Sequence, residues 1–182
     1  MEKREQSLAD RLKAGDSAAA AELVDIYYQR IYLFMRRLGH SYQVSEDLTQ
    51  ESFLQAWQHI DQLREDKSLD SWLYRIAGNV SKYYWRRHNN KEIVGVEEIE
   101  APEGVETDYD KVAEDEQLSW VKKAVARLPV KLRHVVVLHY MQQLTIAEAA
   151  EAVGVREGTF KSRLNRALKA LRKQIAREEQ EL

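Results

Sequence analysis

The chain has 182 residues, of which 44% are hydrophobic and 32% charged, and its formal net charge is −2. This balance excludes a wholly disordered chain, and the length allows one domain or two small ones. The chain has no cysteine, which excludes disulfides and thiolate metal sites, and its few glycines and prolines among many helix-forming residues favour an all-α fold.

The charges are unevenly distributed along the chain. Residues 75–91 carry five lysines and arginines and no acid, whereas residues 92–116 carry eleven acids and one lysine. Residues 155–177 are basic again, with eight cations and one acid. Two basic stretches separated by an acidic one predict two contacts with a polyanion. The longest strongly apolar run, "VVVL" at 135–138, is too short to cross a bilayer, so we expect no direct membrane insertion.

The first two predicted helices lie before residue 40. The first is short and carries Leu8 and Leu12 on one side. Asp16 can cap the second, which is long and ends at Gly39. Apolar residues recur along the second helix at the spacing of one helical face. Its predicted buried line is Leu23, Tyr27, Ile31, Phe34 and Leu38.

The third predicted helix, "EDLTQESFLQAWQHI", has Ser45 as its expected N-cap. Leu54 points away from the apolar side, among charged and amide side chains. A leucine surrounded by polar groups is a candidate anchor for a protein partner, although single exposed leucines are common. The expected inner face consists of Phe53, Ala56, Trp57 and Ile60.

Ser68 can cap the fourth predicted helix, whose expected buried residues are Leu69, Trp72, Leu73, Ile76 and Val80. Near its end, Tyr83, Tyr84 and Trp85 are consecutive, so one helix face cannot bury all three. Aromatic rings beside cations are suited to unstacked bases and a phosphate backbone. Alternatively, two of the rings close the core and the third covers it. The neighbouring cations are Lys82, Arg86 and Arg87.

The acidic stretch 92–116 contains Gly95, Pro102 and Gly104 and has no sustained period. It is predicted to be a flexible linker between two helical domains. The alternative is a solvated loop packed on one compact domain.

After the linker, the pattern predicts a helix-turn-helix. Two helices meet at Pro129, and a short helix follows whose start carries a T-x-x-E capping box, Thr145 and Glu148. A turn at Gly154 leads to a long basic helix. That helix has an apolar stripe on one side and cations on the other, which is also the pattern of a surface helix with solvated cations. The stripe comprises Phe160, Leu164, Leu168, Leu171 and Ile175.

If this is a helix-turn-helix, the start of the basic helix enters the major groove of DNA. Free backbone amides and a hydroxyl near the helix start can contact phosphates, and the polar side chains beyond it can reach bases or phosphates. The predicted DNA-contacting set is Arg156, Gly158, Thr159, Lys161, Ser162, Arg163, Asn165, Arg166 and Lys169.

Catalysis has little support in the sequence. His134 and His139 are five residues apart and poorly spaced for one metal ion. The chain has no H-E-x-x-H motif and no glycine-rich phosphate loop. We therefore expect no enzymatic activity, no metal, no cofactor and no small-molecule substrate.

Two long segments together resemble a known family. The segment "SEDLTQESFLQAWQHIDQL…SWLYRIAGN", residues 45–79, resembles region 2 of bacterial extracytoplasmic-function (group 4) sigma factors, which belong to the sigma-70 family. The segment "LPVKLRHVVVLHYMQQLTIAEAAEAVGVREGTFKSRLNRALKALRKQI", residues 128–175, resembles their region 4. The departures from the family pattern leave the preferred promoter sequence open. They are Ser45, Ala149, Arg156 and Phe160.

The resemblance implies a protein that docks on core RNA polymerase in the bacterial cytoplasm and directs it to promoter DNA. The basic helix would read the minus-35 element as duplex DNA. The minus-10 element requires a flipped base, which suits a loop pocket. The implied polymerase-binding residues are Asp47, Gln50, Glu51 and Leu54. The implied minus-10 set is Gln62, Leu63, Arg64, Lys67, Ser68, Asn79, Lys82, Tyr83, Arg86 and Arg87.

The same resemblance divides the chain into region 2 (5–90), the acidic linker (91–113) and region 4 (114–178). It also implies a cognate anti-sigma factor as a partner. We further expect the acidic linker to mimic nucleic acid on the polymerase, and the isolated chain to bind promoters weakly because its net charge is small.

Two other functions remain compatible with the residues alone. One is a stand-alone helix-turn-helix transcriptional regulator with a sensing or dimerisation domain, which predicts a ligand pocket or a self-complementary apolar face in residues 5–90. The other is an adaptor that binds only proteins, against which the basic helix argues.

Overall fold

The computed structural model describes residues 7–63, 69–88 and 121–178, apart from residue 122. Within these ranges the regular structure is helical and no strand occurs, which confirms the all-α prediction. The first half contains α1 (Leu8–Lys13), α2 (Ser17–Arg37), α3 (Tyr42–Gln58), a 3-10 turn (Ile60–Gln62) and α4 (Leu69–His88). The second half contains a helical segment over 123–126, α5 (Val130–Val136), a π-turn (Val137–Met141), α6 (Ile146–Val153) and α7 (Glu157–Glu178).

Helix α2 forms as the sequence predicts. The Asp16 side chain accepts a hydrogen bond from the Ala18 amide at 2.9 Å, which satisfies one of the free donors at the helix start. Gly39 ends the helix with φ of +93°, a backbone conformation that side chains rarely adopt. All five residues of the predicted line are buried: Leu23, Tyr27, Ile31, Phe34 and Leu38.

Helix α3 begins earlier than predicted. Its N-cap is Ser41, whose hydroxyl accepts from the Val44 amide, and Ser45 is fully buried inside the helix. The prediction that Ser45 is the N-cap was wrong, because Glu46 and Asp47 after it resemble the acids that are common in the first turn of a helix. Small polar residues on the inner face bond back to the helix, as in the 2.6 Å bond from the Thr49 hydroxyl to the Ser45 carbonyl.

Helix α4 buries the predicted residues, with Ile76 only partly covered. Its last turns separate the three consecutive aromatic rings. Trp85 is buried, stacked on His40 with ring centroids 4.8 Å apart, Tyr84 is half-buried, and Tyr83 is 63% exposed. Two rings therefore close the core, and Tyr83 faces outward.

The helix-turn-helix forms as predicted. The Thr145 amide donates to the Glu148 carboxylate at 2.8 Å, and the Glu148 amide donates to the Thr145 hydroxyl at 3.3 Å. These bonds hold the pKa of Glu148 below its usual value. Gly154 closes α6 in the left-handed conformation, with φ of +76°. Phe160, Leu164 and Ala167 of α7 are buried against the rest of this half.

The two halves of the chain pack against each other along α4 and α6 and share one continuous core. We call this contact the seam. The Tyr74 hydroxyl donates to the Gln142 side-chain oxygen at 2.8 Å, and the Ser71 hydroxyl donates to the Glu151 carboxylate at 3.0 Å. The predicted linker, 91–113, lies outside the described residues.

Candidate polymerase and DNA interfaces

The outer face of α3 brings together the four residues predicted to bind polymerase. They follow the helical spacing i, i+3, i+4 and i+7, and all are exposed. Opposite them lie the buried side chains that fix the rotation of the helix, among them Leu48 and Ala56. The result is an acidic face with one apolar side chain, which is 53% exposed. The four residues are Asp47, Gln50, Glu51 and Leu54.

Trp57 lies one turn beyond Leu54 and differs from its prediction. It was expected on the inner face of α3 but is 42% exposed, at the edge of an apolar hollow between α1, α2 and α3. Ala56 takes the innermost position, since it is fully buried. The indole therefore adds a second large apolar group close to the acidic face.

The outer face of α4 carries a basic and aromatic stripe. Its members recur at helical spacing, and Tyr83 is 63% exposed. Lys82 is half-buried, and the others project outward. Arg75, one turn earlier, extends the stripe although it was not predicted to contact DNA. The predicted members are Asn79, Lys82, Tyr83, Arg86 and Arg87.

The loop before α4 is described only at its start. Gln62 ends the 3-10 turn and is exposed. Leu63 was also predicted to contact DNA, but its side chain is 1% exposed and packs in the core, where it anchors the loop. The predictions for Arg64, Lys67 and Ser68 fall outside the described residues.

The basic face of α7 is open to solvent. Eight of the nine residues predicted to contact the minus-35 element are exposed, and Arg163 is half-buried. Two of these side chains have partners within α7 itself. The Ser162 hydroxyl donates to the Gly158 carbonyl at 3.0 Å, and the Lys161 ammonium lies 3.5 Å from the Glu157 carboxylate. Both side chains of the second contact are more than half exposed, so DNA phosphates can replace it at little cost.

The charge environment of Lys82 includes cations from both halves of the chain. Burial lowers the pKa of Lys82, and the positive charges of Arg163, Arg86, Arg75 and Lys131 lower it further. Lys82 and Arg163 belong to different predicted DNA-contacting sets. Lys131 was not predicted, because its sequence neighbours are apolar and only the packing of α5 brings it here. We call these five residues the seam cations.

Among the described residues, no group of histidine and carboxylate side chains is arranged to hold a metal ion. None of the described helices has a stretch long and apolar enough to span a bilayer.

Two family assignments match this chain. Sigma-70 region 2 matches residues 9–91, and sigma-70 region 4 matches residues 118–171. The ECF RNA polymerase sigma factor SigW of Bacillus subtilis is 34% identical over 175 residues, covering 91% of this chain and 93% of the relative. The RNA polymerase sigma-H factor of Pseudomonas aeruginosa is 29% identical over 184 residues, covering 96% of this chain and 95% of the relative.

Solved structures show the same fold. CnrH, solved in complex with the cytosolic domain of CnrY, matches with a TM-score of 0.70 and 22% identity over 93% of this chain and 95% of that one. The sigma factor RpoE of Bartonella quintana, solved with the anti-sigma factor NepR, matches with a TM-score of 0.64 and 22% identity over 86% of this chain and 96% of that one.

The family is one of transcription factors that in general have no enzymatic activity. The two regional matches cover most of the chain, in the order that the sequence predicts, and SigW is similar along nearly its whole length. The chain therefore belongs to the extracytoplasmic-function group of the sigma-70 family: it is a sigma factor, which binds core RNA polymerase and directs it to promoters.

Proposed function

We propose that this sigma factor divides its work among three surfaces: α3 for the polymerase, α4 and its preceding loop for the minus-10 element, and α7 for the minus-35 element. The observation that carries the proposal is the exposure of the predicted contact residues on α7, opposite the buried Phe160 and Leu164. A helix fixed by its apolar side and free on its basic side can enter a major groove without unfolding.

For the minus-35 element, we assign base contacts to Asn165 and Arg166 and phosphate contacts to the helix start. Asparagine can bond an adenine edge through two hydrogen bonds, and arginine can do the same with guanine. Gly158 has no atom within 4 Å of a Cβ built there, so the backbone is open to a phosphate. The remaining contacts are Arg156, Thr159, Lys161, Ser162, Arg163 and Lys169.

For the minus-10 element, we assign base stacking to Tyr83 and backbone contacts to the cations of α4. Stacking on an aromatic ring is sequence-tolerant, so base choice is left to the loop before α4 and to Gln62 and Asn79. Arg64, Lys67 and Ser68 belong to this loop and stay in the proposed set, whereas Leu63 anchors the loop from inside.

For the polymerase, we assign Leu54 as the apolar anchor and the three polar residues around it, Asp47, Gln50 and Glu51, as its rim. An apolar side chain that becomes buried on binding contributes more than exposed charges, which mainly steer and orient. Trp57 extends the anchor and is our addition to the set.

We also propose the division into region 2 (5–90), an acidic linker (91–113) that mimics nucleic acid on the polymerase, and region 4 (114–178). The protein acts in the bacterial cytoplasm, because bacterial transcription takes place there. It has no catalytic activity of its own.

A cognate anti-sigma factor is the remaining proposed partner. The support is that RpoE of Bartonella quintana was solved with the anti-sigma factor NepR. We expect a tagged chain purified from its own bacterium to bring down polymerase subunits and one further protein. That protein, purified and added back, should block transcription, and a protein that leaves transcription unchanged would contradict this assignment.

The proposed function is tested by reconstitution with bacterial core RNA polymerase. The purified chain should co-elute with the core and initiate transcription from a genomic library at sites that share two sequence motifs. Failure to bind core, together with tight specific DNA binding by the chain alone, would instead indicate a stand-alone regulator.

Substitutions paired with control substitutions test which surface binds the polymerase and which binds each promoter element. Leu54→Arg should abolish co-elution, whereas Ile26→Arg, at an exposed apolar residue of α2, should not. Arg166→Ala should relax the minus-35 motif at one position and cost about 1–3 kcal/mol of binding there. Its control, Arg172→Ala, removes an exposed arginine further along the same helix.

Tyr83→Ala should slow promoter opening more than it weakens initial binding, because its ring is proposed to stack on an unpaired base. Tyr140→Ala, at an exposed tyrosine of the π-turn, is the control and should change neither. Equal effects of the two substitutions would remove Tyr83 from the proposed set.

A further inference from the structure

His40 lies between α2 and α3, and its side chain is 2% exposed. Its backbone carbonyl accepts a hydrogen bond from the Arg36 guanidinium at 2.8 Å and a longer one from the Ser45 hydroxyl at 3.4 Å. Arg36 belongs to α2 and Ser45 to α3, so these two bonds tie the backbone of His40 to both helices.

The imidazole of His40 contacts three residues near the end of α4. Its Nε2 and the Ser81 hydroxyl are within hydrogen-bond distance, at 2.7 Å. Its ring stacks on the Trp85 indole, with centroids 4.8 Å apart, and meets the Tyr84 ring edge-on at 5.2 Å. Because Ser81, Tyr84 and Trp85 follow the spacing i, i+3 and i+4, one side chain engages a whole face of the helix.

The opposite face of this part of α4 carries side chains that are proposed to contact the minus-10 element. At about 100° per residue, Tyr83 and Arg86 lie roughly 100–160° around the helix from each residue that His40 contacts. A rotation of the helix end by one residue would put Lys82 or Tyr84 in the place of Tyr83. The orientation of the last turns of α4 therefore decides which side chain faces outward.

The end of α4 needs an outside contact to keep one orientation. Helix ends fray, because their last carbonyls have no partner within the helix. α4 ends at His88, close to the residues that His40 contacts. The Tyr84 ring also stacks on the His88 ring at 4.0 Å, but both rings belong to α4. That stacking cannot orient the helix against its neighbours, whereas the contacts with His40 can.

We infer that His40 is a positioning residue for promoter recognition, because its hold on Ser81, Tyr84 and Trp85 keeps Tyr83 turned outward toward the minus-10 DNA. The inference rests on the proposed assignment of Tyr83 to base stacking. A ring that is already oriented loses less freedom when it stacks on an unpaired base, so binding is tighter. His40 itself is buried and acts through Tyr83.

The test is a double-mutant cycle on the complex with core polymerase. Fluorescence anisotropy measures the affinity for a single-stranded oligonucleotide that carries the minus-10 motif found by reconstitution. Loss of a stacked ring weakens such binding roughly 5- to 150-fold, so we expect at least about a fivefold loss for His40→Ala. In the Tyr83→Ala background, the same substitution should change the affinity by less than about twofold, because the ring that it positions is absent.

Two further variants separate positioning from loss of stability. His134 is also 2% exposed, but it packs against Phe34 with ring centroids 6.0 Å apart. His134→Ala should therefore keep the oligonucleotide affinity within about twofold of the parent. His40→Phe keeps a ring against Trp85 and should restore most of the affinity that His40→Ala loses. A loss as large in His40→Phe or in His134→Ala as in His40→Ala would overturn the inference.

Co-elution with core polymerase shows that each variant is folded. If His40→Ala does not co-elute, His40→Gln replaces it in the same cycle, since glutamine removes the ring but keeps a hydrogen-bonding group. An unchanged affinity, or equal losses in the parent and Tyr83→Ala backgrounds, overturns the inference and leaves the stacking assignment of Tyr83 intact. A Tyr83→Ala variant that binds the oligonucleotide as tightly as the parent removes that assignment, and the inference with it.

Discussion

At the scale of single residues, the seam places buried polar groups where sequence patterns predict only apolar packing. His134 is 2% exposed, and its Nδ1 lies 2.8 Å from the Val130 carbonyl. Because a carbonyl only accepts, Nδ1 carries the proton and Nε2 is unprotonated, buried and without a hydrogen-bond partner. His40 lies nearby in the same core, with its Nε2 2.7 Å from the Ser81 hydroxyl.

These two histidines make stability depend on pH. Burial lowers the pKa of each to about 3, and neighbouring cationic groups contribute to the shift. The unfolded chain takes up these protons near pH 6.5, so the stabilisation is complete above that pH and is lost as the pH falls toward the folded value. We expect the free energy of unfolding in urea to fall by about 1.4 kcal/mol per histidine for each pH unit below about pH 6.

His134→Asn isolates one of the two groups. Asparagine retains a donor for the Val130 carbonyl but does not titrate, so the slope between about pH 6 and pH 5 should fall by roughly half. The absolute stability of the variant is not the readout, because the smaller side chain also leaves a cavity. An unchanged slope would show that His134 is not kept neutral by the fold.

The two glycines that follow α1 and α2 in region 2 offer a second residue-scale prediction. Gly15 and Gly39 both have positive φ, but a Cβ at Gly15 meets no atom within 4 Å, whereas one at Gly39 meets the Arg133 guanidinium. Gly15→Ala should therefore cost only the backbone strain, about 1–2 kcal/mol.

Gly39→Ala should cost a further 1.5–3 kcal/mol, roughly the value of a hydrogen bond to a charged group. It should also weaken the seam, which denaturant titration combined with energy transfer between the two regions can detect. Equal costs for the two substitutions would show that the close approach of Arg133 contributes nothing.

At the scale of elements, the sequence predicts helices well where one pattern dominates and poorly where tertiary packing decides. The buried line of apolar residues on α2 and the capping box of α6 both depend on residues no more than four positions apart, and both predictions are confirmed. The start of α3 was misplaced because Ser41 and Ser45 are equally good caps, and only the packing of α3 against α2 and α4 selects between them.

The candidate site shows the same division. Exposure of the basic face of α7 follows from its apolar stripe, so it could be predicted. Burial of Leu63 could not, since a loop residue has no periodic pattern to place it. Exposure of Trp57 could not either, because its helical spacing from Phe53 and Ile60 predicts burial, whereas Ala56 takes the innermost position. The convergence of Lys131 with Lys82 depends on how two distant segments pack, for which the sequence carries no local signal.

The capping box gives an element-scale prediction. Thr145→Ala removes the hydroxyl that receives the Glu148 amide, and should cost about 0.5–2 kcal/mol of unfolding free energy. Because α6 supports the turn into α7, binding to a minus-35 duplex by the polymerase complex should weaken as well. Thr145→Ser keeps the hydroxyl and should be close to the parent protein in both measurements. A loss in both variants would indicate that the methyl group, not the cap, matters.

At the scale of the whole molecule, the chain can be closed, with the seam formed, or open, with the two regions apart, and this balance should depend on salt in an unusual direction. DNA binding weakens as salt rises, because phosphate contacts release counterions. Closure of the free chain should instead strengthen, because the seam cations repel one another and salt screens that repulsion over about 10 Å at 0.1 M. The hydrogen bonds and apolar contacts of the seam are less sensitive to salt.

The radius of gyration from small-angle X-ray scattering measures this balance. Between about 0.05 M and 0.5 M NaCl we expect it to decrease as the closed population grows. Arg163→Gln removes one of the seam cations, so this variant should already be compact at low salt and change little. Arg172→Gln removes an equal charge from α7 outside the seam and should behave like the parent chain. If both variants respond alike, the effect belongs to net charge, and the seam cations do not govern opening.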